Sequence, residues 1–203
     1  MSESTPRWSA DQALAHLKEG NARFMDGRAR FPTVQKEILA TLAKGLHPYA
    51  TIVGCSDSRV PPELVFDAGF GELFIIRIAG NVISPEVMGS LQYAAVHLKT
   101  PLFVILGHEG CGAVQAALAA IHQGKQERAR IAMLLDRIIP GLESVDATLP
   151  DEARMQAAVE ANVRSSIRQI LETPEGQARQ AEGLLKLVGA VYELETGRVR
   201  FLE

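Results

Sequence analysis

The tightest constraint on the fold is a strand–helix–strand order spelled out between residues 71 and 106. The run Leu102-Phe-Val-Ile-Leu106 is unbroken, short and closed by Gly107, which reads as a buried strand. Upstream, Gly71-Glu-Leu-Phe-Ile-Ile-Arg-Ile-Ala79 is nearly continuous in apolar character, as a parallel strand buried on both faces would be. Between them Val87, Leu91, Ala94, Ala95 and Leu98 recur at helical spacing over residues 86–98, and Lys99-Thr-Pro101 stops that helix. Strand, helix and strand in this order predict a βαβ unit with a right-handed crossover.

The remaining segments fit around that unit. Thr51-Ile-Val-Gly54 reads as a strand that turns abruptly polar at Cys55-Ser-Asp-Ser-Arg59. Ser9 and Gln12 predict a capping box at the start of a helix over residues 9–28, with Gly20 making it one bent helix or two. A second helix is expected from Pro32 to Lys44, ended by Gly45. After Gly107-His-Glu-Gly-Cys-Gly112 come helices over 113–122, over 125–139 with Pro140-Gly141 as its stop, over 151–171, and a short one opened by Thr173-Pro174. Residues 187–194 and 198–202, joined through Gly197, read as a hairpin. The expected fold class is α/β: a mainly parallel central sheet flanked by helices, with a C-terminal hairpin or antiparallel edge strand and an N-terminal helical arm. With 203 residues, 47% of them hydrophobic, a single domain over 1–203 is the expectation. The formal charge of -3 gives no footprint for nucleic acid, and no apolar run approaches the roughly 20 residues of a membrane span. The start, Met1-Ser-Glu-Ser-Thr-Pro-Arg7, lacks a signal pattern, so a cytoplasmic location is expected.

The chemistry concentrates after two of the strands. Cys55, Asp57 and Arg59 stand on alternate positions, so in an extended chain a thiol, a carboxylate and a guanidinium would share one row. His108 and Cys111 follow the other strand. These are zinc-ligand types at strand ends expected on one edge of the sheet, where open α/β folds place their chemistry. Two thiolates and one imidazole would leave a fourth tetrahedral position free, the pattern of catalytic zinc. Each residue also has a plain reading: a core cysteine, a turn histidine, a capping aspartate, a surface arginine. A phosphate loop would need Lys-Ser/Thr after its glycines, where Ala113-Val114 stands. A hydrolase pairing Cys55 with His108 would leave Cys111, Asp57 and Arg59 without a role.

Cys55-Ser-Asp-Ser-Arg59 together with Gly107-His-x-x-Cys-Gly112 resembles the paired signatures of the β-class carbonic anhydrases. Glu19-Gly-Asn-x-Arg-Phe24, Gly71-Glu-Leu-Phe74, Ala79-Gly-Asn81 and the closing hairpin extend the resemblance over nearly the whole chain. It implies a Zn2+ enzyme that interconverts CO2 and bicarbonate through a hydroxide activated by zinc, with Cys55, His108 and Cys111 as ligands. Asp57 would then be the gate beside the metal and Arg59 its latch, with the site open at neutral pH. The resemblance also implies a homodimer or tetramer of dimers, the arm of residues 1–45 packing on the partner. Members inhibited by bicarbonate carry a Trp where Ile52 stands, although Arg77, a candidate anion contact, and Tyr192 match their other two residues. Leu46, followed by His47, replaces a Gln expected to bind substrate. Leu46, Val60, Phe66, Ile83, Leu91 and Tyr93 are candidates for an apolar substrate pocket. Two alternatives accompany this reading: a carbonyl sulfide or carbon disulfide hydrolase on the same scaffold, and a non-catalytic zinc- or bicarbonate-binding protein.

Overall fold

The computed structural model describes residues 8–30, 36–183 and 186–202. Among these residues five strands form one sheet: β1 (Ala50–Gly54), β2 (Leu73–Arg77), β3 (Leu102–His108), β4 (Lys186–Tyr192) and β5 (Val199–Leu202). Their order is β2-β1-β3-β4-β5, with the first four parallel and β5 antiparallel to β4. β1 and β3 are buried along their whole lengths, as continuous apolar runs require when both faces of a sheet are covered. β2 departs from the expectation of full burial. It is an edge strand, its residues half-buried and Arg77 exposed. Its apolar content matches that of a central strand, but among the described residues β1 is its only neighbour.

The helices are α1 (Ala10–Met25), α2 (Lys36–Leu42), α3 (Pro62–Val65), α4 (Pro85–Tyr93, continued by a π turn over Ala94–Leu98), α5 (Gly112–Gln123), α6 (Ala129–Leu142), α7 (Asp151–Leu171) and α8 (Pro174–Ala181). The stretch 32–35 of the expected second helix lies outside the described residues. α1 begins at the expected box: Ser9 Oγ accepts from the Gln12 amide, and Gln12 Oε1 from the Ser9 amide. Gly20 does not divide α1, which is one helix. A Cβ there would stand 1.9 Å from the Phe66 carbonyl oxygen, so glycine permits close approach.

One position further on, the buried Asn21 donates to the carbonyls of Val65 (3.1 Å) and Gly197 (2.8 Å) and accepts from the Val199 amide (2.8 Å). Three such bonds, each worth roughly 1 kcal/mol net, join α1 to α3 and to the hairpin. Ala13 and Leu17 are fully buried against the same chain. One face of α1 therefore packs on its own chain.

The C-terminal half holds a second correction. Pro140-Gly141 does not stop a helix; α6 runs through both to Leu142. Proline forfeits one backbone hydrogen bond there, and only two residues of helix follow it. Gly141 serves the crossing with α7: a Cβ would meet Ser165 Cβ at 2.6 Å. Two further glycines seat α7 on the sheet. A Cβ at Gly107 of β3 or Gly189 of β4 would meet Val163 at 2.7 or 2.9 Å.

A buried carboxylate ties the amino-terminal elements together. Asp67, at φ +46°, accepts from Arg23 Nε (2.5 Å), from the Arg30 amide (2.7 Å) and from Arg30 Nε (3.1 Å). Burial alone would raise its pKa, but the hydrogen bonds from both arginines outweigh that and hold it below the ordinary value. A depressed carboxylate contributes stability above its unfolded pKa, and that contribution disappears as pH falls through the folded value. Asparagine tolerates the same left-handed backbone, so Asp67→Asn isolates the charge. In urea unfolding the variant should be less stable than wild type at neutral pH. The gap should close as pH drops below about 4, the ordinary aspartate value. A gap that does not change with pH would show that the charge contributes nothing.

Candidate metal centre

The sheet order determines where a site can form. After β1 the chain moves to β2 on one side; β3 lies on the other side and is followed by β4. The loops leaving β1 and β3 thus diverge and open a crevice at the carboxyl edge between adjacent strands, the position where open α/β sheets bind ligands. Cys55 is the first residue after β1, His108 the last of β3, and Cys111 the N-cap of α5. Gly110, at φ +60°, supplies the left-handed step that swings Cys111 back toward the strand end. Gly112 has ordinary backbone geometry and open space around it, so the tight turn rests on Gly110.

The ligand atoms of Cys55, His108 and Cys111 all lie within 4.8 Å of one another, and all three residues are buried. Tetrahedral zinc–sulfur bonds of about 2.3 Å separate two sulfurs by roughly 3.8 Å, so little closure is needed. His108 Nδ1 faces its neighbouring Glu109 carbonyl oxygen at 2.8 Å, an acceptor that places the proton on Nδ1 and leaves a lone pair on Nε2. That Nε2 is buried and has no hydrogen-bond partner among the described residues, a costly arrangement that a metal bond would remove. The two sulfurs supply the soft donors. The adjacent Cys111 thiol pulls the Cys55 pKa down against its burial, with help from His108 and from the amides of Asp57 and Gly80. Cys111, facing Cys55 and buried, is pushed up. Two thiolates this close require positive charge between the sulfurs. This donor set fits Zn2+ with one coordination position unfilled by protein.

Asp57 and Arg59 stand beside the cluster in a different geometry from the expected extended row. β1 ends at Gly54, and the chain turns, the Arg59 amide donating to Asp57 Oδ1 at 2.9 Å. Arg59 then closes a two-pronged pair, Nε to Oδ1 at 3.0 Å and a terminal nitrogen to Oδ2 at 2.7 Å. This guanidinium holds the Asp57 carboxyl well below the usual range. Asp57 Oδ2 is 3.9 Å from His108 Nε2, next to the cluster without joining it.

Arg77, a candidate anion contact, supports the loop after β1. From the end of β2, beside Gly54, its Nε donates to the Cys55 carbonyl (3.0 Å) and a terminal nitrogen to the Asp57 carbonyl (2.6 Å). It props the loop that carries both residues. Tyr192 is buried opposite His108 in the β3–β4 ladder.

The pocket candidates do not converge. Val60 and Ile83 are buried in loops near the carboxyl edge, and Phe66 is core. Leu91 lines an apolar hollow of about 670 Å³ with Phe103 and Leu187, at the amino ends of β3 and β4. Phe103 stands five residues before His108, roughly 16 Å along a strand. Tyr93 is 51% exposed, its ring against Phe74 and His97. Leu46 is exposed ahead of the amino end of β1, whereas Cys55 follows its carboxyl end. Apolar character alone does not separate core from pocket.

The residues that support the site from behind gave no signal as chemistry. Gly80, at φ +66°, donates its amide to Cys55 Sγ at 3.3 Å. Asn162 and Ser166 of α7 donate to the Gly80 and Asn81 carbonyls at 2.9 and 3.3 Å. A strand ending in Gly-Asn marks a turn; only the fold brings that turn to a sulfur.

A parallel sheet with a Cys–His–Cys donor set at its topological switch, and a carboxylate–guanidinium pair beside it, defines an α/β zinc enzyme of catalytic rather than structural type. A sequence model described as "Carbonic anhydrase" matches residues 50–199. The chain belongs to the carbonic anhydrase family, in its β class. It is 40% identical over 201 residues to carbonic anhydrase 2 of Mycobacterium tuberculosis (strain ATCC 25618 / H37Rv), covering 95% of this chain and 93% of that relative. The carbonic anhydrase of Mycolicibacterium smegmatis is 38% identical over 187 residues, covering 90% and 88%. Among solved structures, the β-carbonic anhydrase CcaA aligns with a TM-score of 0.75 at 27% identity, covering 93% of this chain and 91% of that one. The Coccomyxa β-carbonic anhydrase in complex with acetazolamide aligns with a TM-score of 0.75 at 28% identity, covering 93% and 86%.

Proposed function

We propose that this chain catalyses the reversible hydration of CO2 to bicarbonate and a proton, with Cys55, His108 and Cys111 holding Zn2+. The observation that carries the reading is the buried, unpartnered His108 Nε2 between two cysteines, in a chain of this family. Zinc held there would supply an acidified water as the source of hydroxide and a positive charge for the developing bicarbonate. The protein's own groups do the rest. His108 keeps its proton on Nδ1 against the Glu109 carbonyl, so Nε2 remains a ligand. Asp57 accepts a hydrogen bond from a proton-bearing group beside the cluster and orients that group toward CO2, while Arg59 keeps the carboxylate ionised and held in place. Arg77 fixes the height of the loop.

A homodimer or tetramer of dimers belongs to this proposal. The half-buried β2 edge, together with Phe70 at 56% and Leu64 at 52% exposure and the exposed Ile38 and Leu39 of α2, is apolar surface of the kind subunits cover. Leu46 could then contribute only to a partner's site. Both cysteines are free, which suits a reducing, cytoplasmic setting. No helix among the described residues is long and apolar enough to cross a membrane.

The test is metal analysis of the purified protein, with stopped-flow hydration of CO2 run in parallel with hydrolysis of carbonyl sulfide. The expected result is one zinc per chain and rapid CO2 hydration, both removed by a chelator and restored by zinc. Zinc without CO2 hydration at any pH would favour the binding-protein reading; activity on carbonyl sulfide alone would favour the hydrolase.

A further inference from the structure

We infer that Asn162, in the middle of α7 and outside every motif discussed above, is a positioning residue for the metal centre. It sets the hydrogen bond that Cys55 Sγ receives, and with it the affinity of the site for zinc. The inference rests on the zinc site proposed above.

The connection runs through a single turn. Residues 79–81 leave β2 as one 3-10 turn, in which the Ile78 amide donates to the Gly54 carbonyl (3.1 Å) and the Asn81 amide to the Ile78 carbonyl (3.0 Å). The Gly80 amide is left to point at Cys55 Sγ, 3.3 Å away. An N–H donated to a sulfur stabilises its thiolate, the form that binds metal.

The orientation of that amide depends on what holds the turn. On one side Gly80 is wedged so closely that a Cβ would meet Ile138 at 2.8 Å and Ala113 at 3.0 Å. On the other, Asn162 Nδ2 donates to the Gly80 carbonyl and Ser166 Oγ to the Asn81 carbonyl. Asn162 and Ser166 are four residues apart on one helical stripe, and both are at least 98% buried. The adjoining Val163 fits the gaps at Gly107 and Gly189, so α7 sits at a fixed height on the sheet and its two donors meet two particular carbonyls. A buried amide donor aimed at one carbonyl of a turn that itself feeds a metal ligand is an outer partner of the kind that tunes metal sites.

The test compares three variants by competition for zinc between the protein and a chelating dye, starting from metal-free protein. Thermal unfolding of the metal-free forms is measured alongside. Asn162→Leu keeps the volume and removes the donor, and its zinc dissociation constant should rise by roughly 10- to 100-fold. Ser166→Ala should move affinity in the same direction by less, and it keeps the test open if the leucine variant fails to fold. Ile170→Ala truncates a buried side chain on the same helix without touching either carbonyl. It should lower thermal stability and leave the zinc dissociation constant unchanged. In Co2+-substituted protein the sulfur-to-metal charge-transfer band should shift for Asn162→Leu and not for Ile170→Ala. Wild-type affinity in Asn162→Leu, or equal weakening by Ile170→Ala, would reduce Asn162 to a packing residue while leaving the zinc site intact. A wild-type protein that binds no zinc would overturn both readings.

Discussion

Replacing Cys55 by alanine should abolish zinc retention and lower kcat/KM for CO2 hydration by at least about 10³-fold, because hydroxide at neutral pH depends on the metal. The loss has two sources. One soft donor of three disappears, leaving His108 and Cys111 as an incomplete set. The Gly80 amide, which donates to Cys55 Sγ, is left facing a methyl group, so the pocket is also mispolarised for any cation that enters. The fold should survive. Cys55 follows β1 rather than lying within it, and its carbonyl, held by Arg77 Nε at 3.0 Å, is unchanged by the substitution. Metal-free wild type and Cys55→Ala should therefore melt within a few degrees of each other, and only wild type should gain stability on adding zinc, as binding to the folded state alone requires. Metal analysis after dialysis, followed by activity with zinc resupplied, decides the matter. Full zinc content or near-normal turnover in the variant would remove Cys55 from the ligand set.

The parts of this architecture legible in the sequence are those encoded by local pattern. β1 and β3 are rich in apolar residues and buried along their lengths because both of their faces are covered, and the Cys55–His108–Cys111 cluster lies at or just after their ends. The Ser9–Gln12 box and the closing hairpin are likewise spelled within a few residues. What could not be read depends on distant neighbours. β2 has the composition of a central strand and lies at the edge. Gly20 and Gly141 look like helix breakers, yet each marks contact with another element, Phe66 and Ser165. Arg77 looks like an anion receptor in a buried strand; its guanidinium is committed to two carbonyls that only the β1–β2 register brings within reach. Asn162 sits in an amphipathic helix as one more polar residue, 82 positions from the carbonyl it holds. The pocket candidates were scattered for the same reason, since hydrophobicity reports burial and says nothing of which end of a strand a side chain occupies.

The second large effect separates chemistry from metal binding. Asp57→Asn should leave the zinc content at the wild-type level and lower kcat by about 10²- to 10³-fold, the loss typical when one oriented group of a preorganised site is removed. Asp57 is outside the Cys–His–Cys cluster, its Oδ2 3.9 Å from His108 Nε2, so the ligand set is untouched. Asparagine keeps the shape and can still accept the Arg59 amide in the turn. It cannot receive Arg59 at both oxygens, because one becomes an NH2 facing a guanidinium, two donors opposed. The two-pronged pair should break, and with it the acceptor that holds a proton-bearing group in line for CO2. An effect on KM alone would instead assign Asp57 to substrate capture. Arg59→Lys provides the companion measurement: a lysine keeps the charge but cannot span both carboxylate oxygens in a plane. If the bidentate geometry matters, this variant should fall between wild type and Asp57→Asn. If charge alone matters, it should match wild type. Retained zinc with unchanged kcat in Asp57→Asn would mean that the carboxylate serves only to shape the turn after β1, and that the step from CO2 to bicarbonate depends on the metal and its three ligands without it.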